Sequence, residues 1–257
     1  MAFLQVDCKS KALGRKAHFN VFLPTDTDEQ GVAPYRTLYL LHGIFGNSTS
    51  WVTGANIQRY AEAKNVCVVM PDGENGFYLD HPDYMNNFGT YVGDELVKIT
   101  RSMFPLSHRW EDTWIGGFSM GGFGALRNGL RFADTFGTVI AFSAALILED
   151  IQKGTAEGIA RQTPYMRAMF GDLTHLLDTD KDPLYLVKER VASGKPMPRL
   201  YLSCGEQDGL LPANEKFRSE LEKLGVAFTY RTTPGAHDWD FWEQEIRHVM
   251  LNWLDER

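Results

Sequence analysis

A serine lies between two glycines at residues 117–121, whose sequence GFSMG matches the pattern G-x-S-x-G. An apolar run that includes Ile115 precedes it and a helix-like segment follows, so we expect Ser119 on a sharp strand-to-helix turn. On such a turn the serine hydroxyl can attack a carbonyl carbon, and the glycines leave room where side chains would clash. The pattern favours nucleophilic acyl transfer over a glycine-rich turn with an incidental serine.

A serine hydroxyl is a poor nucleophile unless a base within hydrogen-bond reach takes its proton. In folds that place a nucleophilic serine on such a turn, an acidic residue and then a histidine follow the serine along the chain. His175, His237 and His248 follow Ser119. His248 falls inside the predicted last helix and His175 inside a long insertion, whereas His237 lies in the loop after the last predicted strand. Ligands of open parallel sheets bind at such loops, so we predict that His237 is the general base.

The acid that orients the histidine is expected just after the strand predicted at 200–204. Asp208 lies four residues beyond that run, and Glu206 is a rival in the same loop. Asp238 is adjacent to His237 and is better suited to cap the final helix. We therefore predict that Asp208 holds the imidazole in one tautomer and stabilises its protonated form.

Two backbone amides are expected to bind the oxyanion that develops when the serine attacks. One belongs to the residue after the nucleophile, Met120, and the other to a loop after an earlier strand. The sequence H-G-x-x-G at 42–46 ends such a strand, and we predict that Ile44 provides the second amide, with Phe45 as the alternative. No acidic or cysteine residue clusters with His42, which favours a structural hydrogen bond over metal binding.

The elements that must position these side chains follow from short apolar runs that alternate with helix-like segments. Continuous apolar runs indicate strands of a parallel sheet covered on both faces; they are 37–41, 66–70, 113–115, 137–142 and 200–204. Alternating runs at 17–23, paired with 3–6, and at 227–231 predict an antiparallel start and an edge strand. Helices are predicted at 57–64, 92–104, 120–132, 214–224 and 239–254. This order predicts an α/β fold of the α/β-hydrolase type, with a mostly parallel central sheet and helices on both faces.

One long segment interrupts the alternation. Residues 149–193 contain helix-like pieces at 165–170 and 184–192 but no clear strand. A long excursion of this kind is often a lid over a site, and the alternative is a surface insertion that only packs. We expect one domain over 1–257 with a small helical lid or insertion at about 149–193.

Composition excludes several classes of function. The chain has 257 residues and a net charge of −7, so no basic excess exists to bind nucleic acid or an anionic membrane surface. Its three cysteines are widely spaced, which argues against a zinc site or a disulfide framework. The first 13 residues lack a secretory pattern, and no apolar stretch approaches the ~18 residues of a membrane span. We therefore expect a cytoplasmic protein.

Five ordered motifs resemble the esterase D family of α/β-hydrolases, which includes S-formylglutathione hydrolases. They are LLHGIFGNSTSW at 40–51, VVMPDGENGFYLD at 68–80, GFSMGGFGA at 117–125, CGEQD at 204–208 and GAHDWDFW at 235–242. The closer resemblance is to small bacterial tributyrin-type and feruloyl-type esterases. It implies the same roles for Ser119, Asp208 and His237, oxyanion amides at Ile44 and Met120, hydrolysis of short acyl or arylacyl esters, and no metal or cofactor. Esterases of this type are often dimers or tetramers, which favours a homo-oligomer.

The substrate is a small ester whose acyl group the sequence does not specify. Aromatic residues near the motifs are candidates to line its pocket, above all Phe45, Trp51 and Tyr78, whereas Phe241 and Trp242 are better explained by packing. The loop at 44–48 lacks the cysteine that the glutathione-thioester branch of the family tends to carry. This favours an esterase and leaves a thioesterase as the alternative. Acyl transfer to an alcohol and a non-catalytic binding module are further alternatives.

Overall fold

The computed structural model describes residues 1–25, 33–81, 85–161 and 163–256. Its main sheet has eight strands, which are β1 (Ala2–Ser10), β2 (Arg15–Leu23), β3 (Arg36–Leu41), β4 (Val66–Pro71), β7 (Thr113–Phe118), β8 (Thr138–Phe142), β9 (Arg199–Gly205) and β10 (Thr229–Thr233). A separate two-stranded ribbon is formed by β5 (Asp80–His81) and β6 (Asn86–Asn87). The strand order in the main sheet is β1-β2-β4-β3-β7-β8-β9-β10.

The sheet is antiparallel at one end and parallel over the rest. β1 pairs antiparallel with β2, and β2 pairs antiparallel with β4. From β4 to β10 every neighbouring pair is parallel. The predicted mostly parallel sheet, its antiparallel start and the edge position of the last strand are therefore confirmed. The carboxyl ends of the parallel strands meet at one rim, where the candidate site lies.

Helices cover both faces of this sheet. Their bounds are α1 (Ser50–Gly54), α2 (Ile57–Lys64), α3 (Phe88–Thr90), α4 (Leu96–Met103), α5 (Met120–Arg131), α6 (Leu148–Lys153), α7 (Thr163–Phe170), α8 (Pro183–Ala192), α9 (Leu211–Lys223) and α10 (Trp239–Leu251). A π-helical turn, Tyr91–Glu95, joins α3 to α4, and 3-10 turns lie at Trp110–Asp112, Gly158–Arg161 and Trp253–Asp255. Across the described ranges, none of the helices is long and apolar enough to cross a membrane.

Alternate residues of the central strand β3 explain the two layers. Leu38 and Leu40 enter the core beneath α2 and α10, while Tyr39 and Leu41 enter the core beneath α4, α5 and α9. Because side chains alternate across a strand, a run that is apolar at every position must be covered on both sides. The predicted arrangement of helices on both faces is confirmed.

The segment between β8 and β9 contains α6, α7 and α8, and its described residues, all of 149–193 except Gln162, include no strand. Met166, Phe170, Leu176 and Val187 of this segment are buried in the larger core cluster. The insertion therefore packs firmly on the domain. That it opens as a lid stays a prediction.

Candidate active site

Ser119 lies at the turn between β7 and α5, with φ 55° and ψ −119°. This left-handed conformation is uncommon for a residue with a side chain and costs roughly 1–3 kcal/mol, so surrounding contacts must enforce it. The Ser119 amide donates to the Phe142 carbonyl at 2.9 Å, and the Ser119 carbonyl accepts from the Ala145 amide at 3.0 Å. The serine is thereby fixed between the ends of two adjacent strands.

The glycines that flank the serine are required by close backbone approach. A Cβ on Gly121 would lie 2.5 Å from the Leu41 carbonyl oxygen and 2.6 Å from that of His42. A Cβ on Gly117 would lie 2.6 Å from the backbone of Gly121. The nucleophile turn and the end of β3 thus pack backbone against backbone.

The structure brings the three predicted side chains together. Nε2 of His237 lies 2.9 Å from Oγ of Ser119, and Nδ1 of His237 lies 2.8 Å from Oδ2 of Asp208. Since a carboxylate only accepts hydrogen bonds, Nδ1–H donates to Asp208 and Nε2 is free to accept from the Ser119 hydroxyl. This is the tautomer in which His237 can take the serine proton.

Asp208 is buried, and its carboxyl is held in the ionised form. Burial by itself acts to raise the pKa of this carboxyl, but the hydrogen bonds from His237, from the Leu210 amide and from the Ser143 hydroxyl outweigh it. The net result is a pKa below the ordinary value for an aspartate. The amide of Leu210 donates to Oδ1 at 2.8 Å, which leaves Oδ2 for the imidazole.

The loops that carry the acid and the base are joined to each other by Gln207. Its backbone amide donates to the Gly235 carbonyl, and its side-chain oxygen accepts from the Gly235 amide, both at 2.9 Å. A Cβ on Gly205 would lie 2.3 Å from the Gly235 carbonyl oxygen. This contact fixes the spacing of Asp208 and His237.

The rival residues lie elsewhere. Glu206 is exposed, and Asp238 caps α10 by accepting from the Phe241 amide at 3.1 Å, which confirms its predicted capping role. His248 lies within α10, and His175 is exposed on the insertion. Among the three histidines that follow the serine, His237 is the one that reaches it.

The amides of Ile44 and Met120 have no hydrogen-bond partner among the described residues, whereas the amide of Phe45 donates to Oδ1 of Asn75 at 2.8 Å. Met120 is the first residue of α5, where the helix leaves amides unpaired and carries a partial positive charge. The two predicted amides are available to an oxyanion, and the alternative at Phe45 is occupied.

His42 is buried and makes two hydrogen bonds that hold the loop at 42–46. Its Nε2 accepts from the Gly73 amide at 2.9 Å, so Nδ1 carries the proton and donates to the Gly43 carbonyl at 2.7 Å. Asp72 lies 3.6 Å from the same Nε2. The shorter contact with Gly73 determines the tautomer, because an imidazole nitrogen that accepts one hydrogen bond cannot also donate. The predicted structural role of His42 is confirmed.

The prediction that Trp51 and Tyr78 line a substrate pocket is corrected by their burial. Their side chains are 1% and 0% exposed, so they touch no open cleft. The Trp51 indole donates to the Leu41 carbonyl at 2.9 Å, and the Tyr78 hydroxyl donates to the His42 carbonyl at 3.0 Å. They hold the end of β3 against Gly121. Phe45, at 77% exposed and with a φ of 64°, remains the candidate that can touch a substrate.

Three further positioning groups escaped sequence reasoning. Ser143, with a φ of 45°, joins Asp208 to the Trp242 indole, which donates to its hydroxyl at 3.2 Å. Gln207 and Asn75 act by side-chain hydrogen bonds to backbone amides. In the sequence, each of these is simply a polar residue near a motif. The sequence does not show that Gln207 binds the amide of Gly235, 28 residues away, or that Asn75 binds the amide of Phe45, 30 residues away. As predicted, Phe241 and Trp242 are packing residues, both buried.

Comparison with known proteins identifies the family. Residues 10–252 match the model of the Esterase family, whose description is "Putative esterase". The chain is 38% identical to an acetyl esterase of Caldicellulosiruptor saccharolyticus, covering 100% of this chain and 99% of the relative. It is also similar to the structure of an S-formylglutathione hydrolase from Staphylococcus aureus, with a TM-score of 0.85, 29% identity and 98% coverage of both chains. A ferulic acid esterase, at 22% identity, a TM-score of 0.77 and coverage of 97% of this chain and 95% of that chain, shares the fold. The chain therefore belongs to the Esterase family, and it is a serine carboxylic ester hydrolase with the α/β-hydrolase fold.

Proposed function

We propose that this chain hydrolyses short-chain acyl or arylacyl esters through an acyl-serine intermediate on Ser119. The observation that carries the proposal is the imidazole of His237, which lies 2.9 Å from Oγ of Ser119 and 2.8 Å from Oδ2 of Asp208. A hydroxyl, a base and a buried acid in this sequence of contacts are what nucleophilic catalysis by serine requires.

In the first half of the reaction, Oγ of Ser119 attacks the ester carbonyl while Nε2 of His237 takes its proton. The carbonyl oxygen becomes an oxyanion, which the amides of Ile44 and Met120 bind. When the tetrahedral intermediate collapses, the bond from carbon to the alcohol oxygen breaks and His237 protonates the departing alcohol. In the second half His237 takes a proton from a water, whose oxygen attacks the acyl carbon. The bond from that carbon to Oγ of Ser119 then breaks, His237 returns the proton to Oγ, and the carboxylic acid leaves.

The acyl group is proposed to be small. Similarity to an acetyl esterase over nearly the full length of both chains supports acetyl esters, and we propose butyryl esters beside them. The exposed ring of Phe45, next to the oxyanion amides, supports an additional aryl group such as feruloyl, because aromatic faces stack readily. Similarity to an S-formylglutathione hydrolase makes a thioesterase on the same residues the second candidate.

The test is a series of p-nitrophenyl esters from acetate to decanoate, run beside methyl ferulate and S-formylglutathione. We expect the highest kcat/KM with acetate or butyrate, and roughly 10⁶-fold lower turnover for Ser119→Ala. Ser102→Ala on the exposed face of α4 is the matched control, because its hydroxyl bonds only the Ile99 carbonyl. A fluorophosphonate probe that labels the native chain but not the Ser119 variant would support the nucleophile. Preference for the thioester would support the second candidate.

Three wider expectations accompany this proposal. The chain forms one continuous domain, in which the insertion at 149–193 serves as a lid. The protein assembles as a homo-oligomer, and it is located in the cytoplasm. Cys67 and Cys204 are free and buried, which suits a reducing compartment. Light scattering after size-exclusion chromatography measures the oligomeric state, and cell fractionation measures the location.

A further inference from the structure

We propose that Asn75 is a positioning residue of the oxyanion loop and that Tyr165, from helix α7 of the insertion, fixes Asn75 in place. This inference rests on the proposed function, because it assigns a role in binding the oxyanion formed at Ser119. It links the insertion to the chemistry through contacts of two side chains.

The first observation concerns the two amides at 44 and 45, either of which could face a reacting carbonyl. Oδ1 of Asn75 accepts from the Phe45 amide at 2.8 Å, over a separation of 30 residues. The amide of Ile44 is left without a partner among the described residues. Asn75 therefore selects which amide is free, and it does so by binding the other.

The second observation is the backbone conformation that this hydrogen bond stabilises. Phe45 has a φ of 64°, in the left-handed region that aromatic residues rarely adopt. Phe45 is the third residue of a turn that is closed by a hydrogen bond from the Gly46 amide to the Gly43 carbonyl at 3.1 Å. The Asn75 contact fixes the peptide plane between Ile44 and Phe45. Its loss would let Phe45 relax towards negative φ, and the dihedral angles of Ile44 would change with it, which would turn the Ile44 amide away from the reacting carbonyl.

The third observation is that Asn75 is itself held from the insertion. The Tyr165 hydroxyl donates to the Asn75 carbonyl at 2.6 Å, over a separation of 90 residues. Burial raises the pKa of Tyr165 to about 12, so the hydroxyl stays a donor at neutral pH. Asn75 lies in a loop where Glu74, Phe77 and Tyr78 all have positive φ, a conformation that needs external contacts to persist.

These contacts form a continuous path from α7 through Tyr165, Asn75 and Phe45 to Ile44. The path has a kinetic consequence. An oxyanion amide acts mainly on the transition state, so its misalignment lowers kcat and leaves KM nearly unchanged. A residue that merely stabilised the fold would lower the melting temperature without separating these two constants.

The experiment compares Asn75→Leu, Tyr165→Phe and Glu74→Gln with the native chain on p-nitrophenyl acetate. For Asn75→Leu we expect kcat to fall about 10- to 100-fold, below the ~10²–10³-fold cost of removing an oxyanion donor, because the amide is misaligned rather than lost. KM should stay within about threefold. Glu74→Gln alters the adjacent side chain, which pairs with Arg15, and is the control expected to keep native kcat.

Tyr165→Phe removes one oxygen and keeps the ring, so it tests the path even if Asn75→Leu does not fold. We expect kcat to fall about three- to tenfold on its own, and to show no further fall when added to Asn75→Leu, since contacts in one path are not additive. The affinity of a trifluoromethyl ketone, whose adduct carries an oxyanion, should fall in parallel with kcat.

Native kcat in both variants, or a rise in KM at unchanged kcat, would overturn the role of Asn75 while leaving the esterase itself intact. Failure of the proposed function is a different result, because the native chain would then show neither ester turnover nor fluorophosphonate labelling.

Discussion

The three side chains at the site differ in their access to solvent. Ser119 and Asp208 are buried, whereas the side chain of His237 is 36% exposed. In the proposed mechanism, solvent can therefore reach the imidazole that releases and regains protons, while the carboxylate that orients it is shielded and acts at a lower effective dielectric. The buried carboxylate stays ionised because the hydrogen bonds it accepts outweigh its burial.

Replacing Asp208 by asparagine tests its role as the orienting acid. We expect Asp208→Asn to lower kcat about 10⁴-fold, because an amide NH₂ facing Nδ1 favours the tautomer that cannot accept the serine proton. Steady-state turnover of p-nitrophenyl acetate measures this. Glu206→Gln in the same loop is the matched control and should keep kcat within about twofold. Activity of Asp208→Asn within tenfold of native would assign the acid elsewhere.

The lowered pKa of Asp208 also predicts how stability depends on pH. A carboxyl whose pKa is lower in the folded than in the unfolded chain contributes stability that is fully present above its ordinary pKa of 3.8. That contribution is lost as the pH falls through the lower folded value. Urea unfolding from about pH 5 to about pH 2.5 should therefore show a steeper loss of stability for the native chain than for Asp208→Asn. Parallel curves would contradict the shift.

At the scale of elements, the site depends on how closely α5 and β3 approach. Trp51 and Tyr78 hold the carbonyls of Leu41 and His42, and the same two carbonyls are the atoms nearest to a Cβ at Gly121. The spacing of Ser119 and the loop at 42–46 is therefore set by backbone contact, which cannot adjust as a flexible side chain would.

Gly121→Ala should disrupt this contact. A methyl group 2.5 Å from a backbone carbonyl forces α5 away from β3, and overpacking of this kind costs about 1–3 kcal/mol or more. We expect a lower melting temperature and a loss of turnover larger than the loss of stability explains. Gly209→Ala is the control, because its Cβ would meet no atom within 4 Å. Equal behaviour of the two variants would show that the contact is not tight.

Elements were predictable where one physical signal dominated. The runs at 37–41 and 66–70 are apolar at every position, and the structure places them in β3 and β4 as expected. The strand predicted at 113–115 continues to Phe118 in the structure. The prediction stopped early because Gly116 and Gly117, which close packing requires, interrupt the apolar run. The helix predicted at 92–104 begins at Phe88 and passes through a π turn, which leaves no simple periodicity to detect.

At the scale of the whole molecule, Arg127 joins three parts of the chain. This buried residue of α5 donates to the Asp180 carboxylate at 2.6 Å and to the Asp180 carbonyl at 3.0 Å, which fastens the insertion to the helix after the nucleophile. It also donates to the side chain of Asn128, which in turn donates to the Tyr78 carbonyl at 3.0 Å. The insertion and the loop below the oxyanion site thus share one anchor.

Arg127→Met should destabilise the fold by about 1–3 kcal/mol, because the Asp180 carbonyl and the buried Asn128 side chain each lose a hydrogen bond. The Asp180 carboxylate is 46% exposed, so water can replace its contact with Arg127. Arg131→Met is the control. Arg131 lies 3.6 Å from the same carboxylate but is 46% exposed, so we expect a cost below about 1 kcal/mol. Urea denaturation followed by circular dichroism measures both. A smaller effect for Arg127 than for Arg131 would refute the anchor.

The sequence could predict the residues of the site better than its surroundings. Ser119, Asp208 and His237 follow from chain order and from their positions after strands, which are local properties. The burial of Trp51 and Tyr78, and the hydrogen bond between Asn75 and Phe45, depend on distant segments meeting in space. Side-chain exposure near a motif is a property of the packed molecule and has no local signature.

The position of β10 determines how the enzyme should fail on warming. This strand is at the margin of the sheet and pairs only with β9 among the described residues, yet the loop beyond it carries His237. Strands with one neighbour open more readily than central ones, so the imidazole should be lost to local fraying while the β7 turn persists. Heat inactivation should then precede melting. It should also reverse on cooling, because His237 returns to Ser119 when β10 pairs with β9 again.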